Sequence, residues 1–223
     1  DFNVSPEIEN FRLRIRDFVE NHVIPLEKDL TNFDKYEMLN ESTLQSIRTL
    51  AKKKNLWCLQ MPKAHGGQGL SFVGVAICYE EMARSPFGPL VFNSMAPDDG
   101  TMMALDKILP NEEMKQKWLQ PIIDGKVRSA FAMTEPHPGG GSDPSMIRTT
   151  AEKKGDKWII RGKKHFITGA EGAEHFILIA KTSDHPRKGL TAFLHHRDDQ
   201  GWHIERRIPI MGPQEHGGHC EII

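Results

Sequence analysis

The texture of the chain changes once, near Lys126, and that single change limits the folds open to it. Before it, apolar residues return at three- and four-residue intervals; after it, short β-branched and aromatic runs alternate with turn signals. Ser5-Pro6-Glu7 supplies a capping hydroxyl, a proline whose missing N–H costs nothing in a first turn, and an acid at the positive end of a helix dipole. Ile8, Phe11, Ile15, Phe18, Val19 and Val23 then form one apolar stripe, which the pattern ends at Pro25. A second helix from about Thr43 turns Leu44, Ile47, Leu50 and Ala51 inward. Lys52 to Lys54 close it as cations complementing the dipole rather than as a nucleic-acid patch. Trp57 to Gly69 reads as a turn-rich linker, and Ser71 to Arg84 as a helix apolar on most sides, hence buried. Asp98 or Asp99 is expected to cap a helix carrying Met102, Met103, Leu105, Ile108 and Leu109, and Asn111 to cap the piece running to Leu119.

Beyond Lys126 the strand candidates are Lys157 to Arg161, His165 to Thr168, His175 to Ala180, Leu190 to Leu194, Trp202 to Ile204 and His219 to Ile223. Gly155-Asp156, Gly162, Gly172 and Asp198 to Gly201 supply turns between them. The expectation is an α+β chain: an all-α helical domain over residues 1–125, then a small antiparallel β-barrel or sandwich over 126–223.

Twenty-nine Lys plus Arg stand against 30 Asp plus Glu, so no overall field draws the chain to nucleic acid or anionic lipid. Cys58, Cys78 and Cys220 are odd in number and lack C-x-x-C spacing, which argues for reduced thiols in an intracellular setting. The longest apolar run, Phe72 to Tyr79, falls short of the roughly 18 residues a membrane span needs. The chain opens at Asp1 without a charged-then-apolar leader, so no export signal and a trimmed N-terminus are expected.

Chemistry concentrates in Phe131 to Asp143, FAMTEPHPGGGSD. Phe131 to Thr134 reads as a short strand; Pro136 and Pro138 break it, and Gly139, Gly140 and Gly141 lead to Ser142. Glycines let main-chain N–H groups approach a flat or phosphorylated ligand, although an ordinary Pro/Gly connection has the same composition. There is no Walker loop, and G-x-G-x-x-G fails at Pro144. Gly140 to Pro144 is a near miss to G-x-S-x-G, with proline in place of the last glycine and no strand-to-helix context, which argues against a serine hydrolase. His216, His219 and Cys220 could offer zinc ligands, but glycines separate them and no fourth ligand is evident, so no metal is expected. His195-His196 is a weaker candidate still.

Taken together, Met61 to Leu70 (MPKAHGGQGL), Glu80 to Arg84 (EEMAR), Ala96 to Gly100 (APDDG), Thr134-Glu135-Pro136, Gly141-Ser142-Asp143 and Gly162 to Thr168 (GKKHFIT) resemble the motifs of the acyl-CoA dehydrogenase family across nearly the whole chain. APDDGTMMAL and GGHCEI resemble the branch that includes long multidomain members acting on acyl- or hydroxyacyl-CoA. The resemblance implies a helical domain, a β domain and a C-terminal four-helix domain with FAD and substrate between them, the first two being present here and the β domain missing its final edge. It also implies FAD contacts at Phe131, Ala132, Met133, Thr134, Gly141, Ser142, Phe166, Ile167 and Thr168. The main chain near Met133 and the Thr134 hydroxyl would meet the pyrimidine end, Thr168 the hydride-accepting nitrogen, and Phe166, standing where the family often has tryptophan, the ring face. Ser142 would reach the flavin phosphates or the pantetheine arm, and Asn93, Met102 and Met103 the acyl tail.

Two departures accompany this likeness. The stretch from Pro136 to Ser142 is two residues longer than the family's usual spacing, and His165 adjoins the flavin-facing positions, where strand alternation would turn it opposite to Phe166. The implied catalytic base is a glutamate beyond Ile223; Glu135, the glutamate of the TEP element, is not it. The implied activity is FAD-dependent α,β-dehydrogenation of an acyl-CoA in fatty acid metabolism, with electrons leaving through an electron-transfer flavoprotein. A homodimer or homotetramer follows by the same likeness, cytoplasmic in a bacterium, mitochondrial or peroxisomal in a eukaryote. The alternatives are an acyl-CoA oxidase using oxygen, or a non-catalytic flavin- or acyl-CoA-binding module if the native chain ends at Ile223.

Overall fold

A computed structural model describes residues 3–141, 143–185, 188–211 and 217–223, so the expectations on Ser142 and His216 lie outside the described residues. The chain divides into two compact units, Asp1–Lys126 and Val127–Ile223.

In the helical unit the Ser5 hydroxyl accepts from the Ile8 N–H and opens α1 (Pro6–Phe18). The stripe does not stop at Pro25. A π-helical turn over Val19–Val23 and a 3₁₀ turn over Ile24–Lys28 carry the chain past it, because the proline stands in a first turn where its missing N–H is not needed. Val19 and Val23 thereby join Ile15 and Phe18 in the core. The Asn40 carboxamide oxygen accepts from Thr43 N–H at 2.9 Å, so α2 (Glu41–Lys53) opens at Glu41 rather than Thr43. Leu44, Ile47 and Ala51 are buried and Leu50 only partly. Lys52 does more than complement a dipole, since its ammonium donates to the Asp124 carbonyl at 2.6 Å and lies 4.3 Å from the Trp57 ring centroid.

Ser71 caps α3 (Phe72–Met82), which buries Gly74, Cys78 and Met82. It is not buried on all sides: Phe72 and Val73 in its first turn are 71% and 66% exposed. Farther along, Glu81 accepts from both Arg12 and Arg16 at 2.6 Å and ties α3 to α1. The remaining helices are α4 (Gly88–Val91), α5 (Asp98–Ile108), α6 (Glu112–Trp118) and α7 (Gln120–Ile123). Neither Asp98 nor Asp99 caps α5; Pro97 holds that place, and both acids sit in the first turn near the positive end of the dipole. Asn111 caps α6 through the Met114 N–H. Phe18 and Phe92 meet edge to face in the core, with ring centroids 5.2 Å apart.

The β unit contains β1 (Ser129–Ala132), β2 (Thr150–Lys154), β3 (Lys157–Arg161), β4 (Lys164–Thr168), β5 (His175–Lys181), β6 (Leu190–His196), β7 (Ile204–Arg207) and β8 (His219–Ile222). The sequence hides β2, because its TAEKK run buries only Ala151 and it exists by pairing with β3. The strand expected from Trp202 starts at Ile204. In the five-stranded sheet, β5 pairs antiparallel with β6 along its length, parallel with β1, and parallel with β2 at Lys181. In the second sheet β8 lies between β4 and β7. The architecture is therefore α+β, but the sheets do not close into a barrel and the pairing is mixed. β1 can run parallel to β5 because a long crossover through β2, β3 and β4 separates them. Ala130 and Ala132 of β1 pack with Ile167, Phe176, Cys220 and Ile222 in a shared core. All three cysteines are buried free thiols, and burial pushes Cys78 up to about 11. Among the described residues, no helix is long and apolar enough to cross a membrane.

Candidate functional site

Among the described residues β1 pairs with β5 alone and so lies at the sheet edge, and it presents Phe131 outward and Ala132 inward. Past Ala132 the chain leaves the sheet and meets β4. The Thr134 carbonyl accepts from His165 N–H at 2.8 Å, and the Thr134 hydroxyl donates back to the His165 carbonyl. Lys164, buried behind this crossing, donates to the Met133 carbonyl at 2.9 Å and to Glu135 Oε1 at 2.8 Å. Glu135 also accepts from the N–H groups of Arg148 (2.7 Å) and Thr149 (2.9 Å). Burial pushes the Glu135 carboxyl up, but the bonds from Lys164 and these amides outweigh it and hold the group below its ordinary value. For Lys164 burial prevails over the pull of Glu135, and its pKa is lowered. A carboxylate this heavily occupied is not a free base.

β4 carries a bulge between Lys164 and Ile167 where it pairs with β8. Phe166 occupies the bulge at φ 56°, 53% exposed. This corrects the expectation that His165 and Phe166 face opposite ways: the extra residue breaks the pleat, and their rings meet at 4.3 Å in a T-shaped contact. A bulky side chain held in the left-handed region costs on the order of 1–3 kcal/mol, and such outliers gather at binding sites. Ile167 points into the core, while the Thr168 hydroxyl lies 3.0 Å from His219 Nδ1. His219 is thus committed to Thr168 and Cys220 is buried; among the described residues no group of three or more His, Cys, Asp or Glu could hold a metal ion.

The glycine loop is partly self-contained. Glu135 N–H donates to the Gly140 carbonyl at 2.7 Å and Gly139 N–H to the Pro136 carbonyl at 2.8 Å. A Cβ on Gly139 would stand 2.5 Å from Glu135 Oε2, and one on Gly140 would stand 3.0 Å from the Ile147 side chain. Those two glycines answer to packing over the buried carboxylate. Gly141 is different: a Cβ there would meet nothing within 4 Å.

In the helical unit Asn93 and Met102 are buried at 3% and 0% exposure. The Asn93 amide donates to the Ile122 carbonyl at 2.9 Å and approaches Cys58 Sγ at 3.1 Å, so it organises the interior there. Met103 lines a cavity of about 270 Å³ with Gln60, Met61, Leu70, Phe72 and Val75. A larger cavity of about 460 Å³ in the β unit, walled by Trp158, Ile160, Leu178, His195 and Trp202, includes none of Phe131–Thr134 or Phe166–Thr168. Sequence reasoning missed Lys164 and His219 as organisers of this region. A lysine in a short strand and a histidine near a cysteine carry no local sign of partners 29 and 51 residues away.

Residues 5–126 match the family model "Acyl-CoA dehydrogenase, N-terminal domain" and residues 130–223 match "Acyl-CoA dehydrogenase, middle domain". The chain is 32% identical over 232 residues to "Probable acyl-CoA dehydrogenase FadE2" of Mycobacterium tuberculosis, covering 100% of this chain and 56% of the relative. It superposes with a TM-score of 0.89 on the solved "Structure of a putative acyl-CoA dehydrogenase from Mycobacterium abscessus", at 31% identity over 99% of this chain and 58% of the other. A second solved structure, "FAD complex of PigA", is similar at 25% identity and a TM-score of 0.78, over 100% of this chain and 56% of that one. The chain thus spans about half the length of these proteins. With both domain models matched along almost its whole length, it belongs to the acyl-CoA dehydrogenase family.

Proposed function

We propose that this chain forms the flavin-binding face and part of the acyl pocket of an FAD-dependent acyl-CoA dehydrogenase. The observation that carries the reading is the convergence of an exposed Phe166, fixed at a β-bulge, with the Met133–Thr134 crossing beside an unpaired strand edge. An isoalloxazine is flat and apolar across its rings and polar along its pyrimidine edge, so an aromatic wall beside main-chain donors fits it. Bound FAD supplies the hydride acceptor.

The chain's own residues bind and orient. The main chain at Met133 and Thr134 would hold the pyrimidine end, and the Thr168 hydroxyl, 3.0 Å from His219 Nδ1, would face the hydride-accepting nitrogen. The main chain of Phe131, Ala132 and Ile167 would frame these contacts, and Gly141, where a Cβ would meet nothing within 4 Å, leaves room for the flavin phosphates; the motif resemblance alone assigns Ser142 to those phosphates or to pantetheine. Met103 borders the acyl tail through its cavity, whereas Met102 and Asn93 are buried in the interior and do not line that cavity. Glu135 is excluded as the base by its three donors, so the α-proton goes to a carboxylate elsewhere in the gene product. Electrons leave to an electron-transfer flavoprotein, from a homodimer or homotetramer. The test is anaerobic titration of the FAD-loaded product of the complete gene with acyl-CoAs of graded length. Bleaching of the flavin, with rapid reoxidation by electron-transfer flavoprotein and little peroxide, is expected. No bleaching with any thioester overturns the reading, and peroxide released at the turnover rate identifies an oxidase.

A further inference from the structure

A buried ion pair is often no better for stability than apolar residues of the same size, and neither charge of Lys164–Glu135 takes part in the proposed proton or hydride transfer. Its position suggests another use. The Met133 carbonyl and the Thr134 N–H belong to one peptide group, which is trans, so the two point in opposite directions. Lys164 draws the carbonyl oxygen inward at 2.9 Å, which turns the Thr134 N–H away from the ammonium. No acceptor among the described residues meets that N–H. The Thr134 hydroxyl and carbonyl are both engaged with His165, so the residue cannot rotate to spend its N–H elsewhere. Lys164 in turn is held by Glu135, which the amides of Arg148 and Thr149 anchor. A cation bonded to the carbonyl end polarises the peptide and makes its N–H a stronger donor.

We propose that Lys164 is a positioning residue that acts through the Met133–Thr134 peptide: it aims the Thr134 N–H at an acceptor on the flavin's pyrimidine end, and its charge favours the negative charge that gathers there on reduction. The inference rests on the assignment of FAD to Met133 and Thr134. Glu135 supplies the opposing charge, so the two residues should move the flavin potential in opposite directions, which a purely structural pair would not do.

The experiment compares the FAD-loaded product of the complete gene with Lys164→Arg, Glu135→Gln and the double variant Lys164→Met/Glu135→Met. Flavin midpoint potential is measured by dye equilibration, FAD affinity by fluorescence, and folding by circular dichroism. The double variant, which removes both buried charges, should fold, bind FAD about tenfold more weakly as for loss of one charge-assisted contact, and show a lowered potential. Glu135→Gln should raise the potential, and Lys164→Arg should retain most of the affinity. A folded double variant with wild-type potential and affinity overturns the inference, as do shifts of the same sign in Glu135→Gln and the double variant. If the double variant does not fold, Glu135→Gln alone decides, by an upward shift or its absence. Wild type that takes up no FAD sinks the flavin assignment and the inference together, whereas FAD uptake with unmoved potentials sinks the inference alone.

Discussion

At φ 56°, Phe166 holds a conformation that glycine adopts freely and a phenylalanine does not. Phe166→Gly should therefore stabilise the free protein by about 1 kcal/mol, less whatever packing its ring supplies, while weakening FAD binding. Urea unfolding and flavin fluorescence, read on the same variant, check both signs; a loss of stability without a loss of affinity would contradict the assignment of the ring to the ligand. Thr134 tests a different bond. Because its hydroxyl donates to the His165 carbonyl, Thr134→Ala should cost about 0.5–1.5 kcal/mol of stability even without flavin, and Thr134→Ser should restore most of it in urea titrations. Glu135 gives a pH signature. Its folded pKa lies below the ordinary 4.5, so its contribution is present above the unfolded value and is lost as pH falls through the folded one. Lys164 is lowered from 10.5, so stability rises as pH climbs through its folded value toward 10.5. Between about pH 6 and pH 3, thermal midpoints should fall more steeply for wild type than for Glu135→Gln.

Among elements, the caps carry local stability and the charged contacts carry register between helices. Asn40 closes the start of α2 by accepting from Thr43 N–H and Ser42 Oγ while donating to the Thr31 carbonyl. Asn40→Ala should destabilise by roughly 1 kcal/mol in chemical denaturation, the usual cost of a lost N-cap, and Asn40→Asp should recover the part that depends on the cap alone. The bulge in β4 is an element-scale device: it interrupts pairing with β8 between Lys164 and Ile167 and so sets Phe166 outward while Ile167 stays in the core. A helical stripe behaves differently, since residues three and four apart share a face wherever the helix runs. That is why the inward residues of α1 and α2 were readable in advance and the orientation of Phe166 was not.

For the whole molecule, the near balance of 29 basic and 30 acidic residues and a sequence pI near 6.9 predict a solubility minimum close to neutral pH and no retention on a heparin column at physiological ionic strength. Strong retention would reveal a local basic surface that the net charge conceals. Local signals were enough to find the helix caps at Ser5 and Asn111, the apolar stripes and most strands, because each is written in hydrogen bonds or periodicity spanning a few residues. The motifs were enough for the family, since residue types at fixed spacing are themselves sequence. Tertiary structure alone decided that β1 runs parallel to β5, that Phe166 sits on a bulge, and that Lys164 reaches Met133 and Glu135. It also bound Thr168 to His219 across 51 positions. The physical reason is the same in each case: the partner is far along the chain, and a contact's energy depends on the distance and burial that folding creates, neither of which leaves a period or a spacing in the sequence.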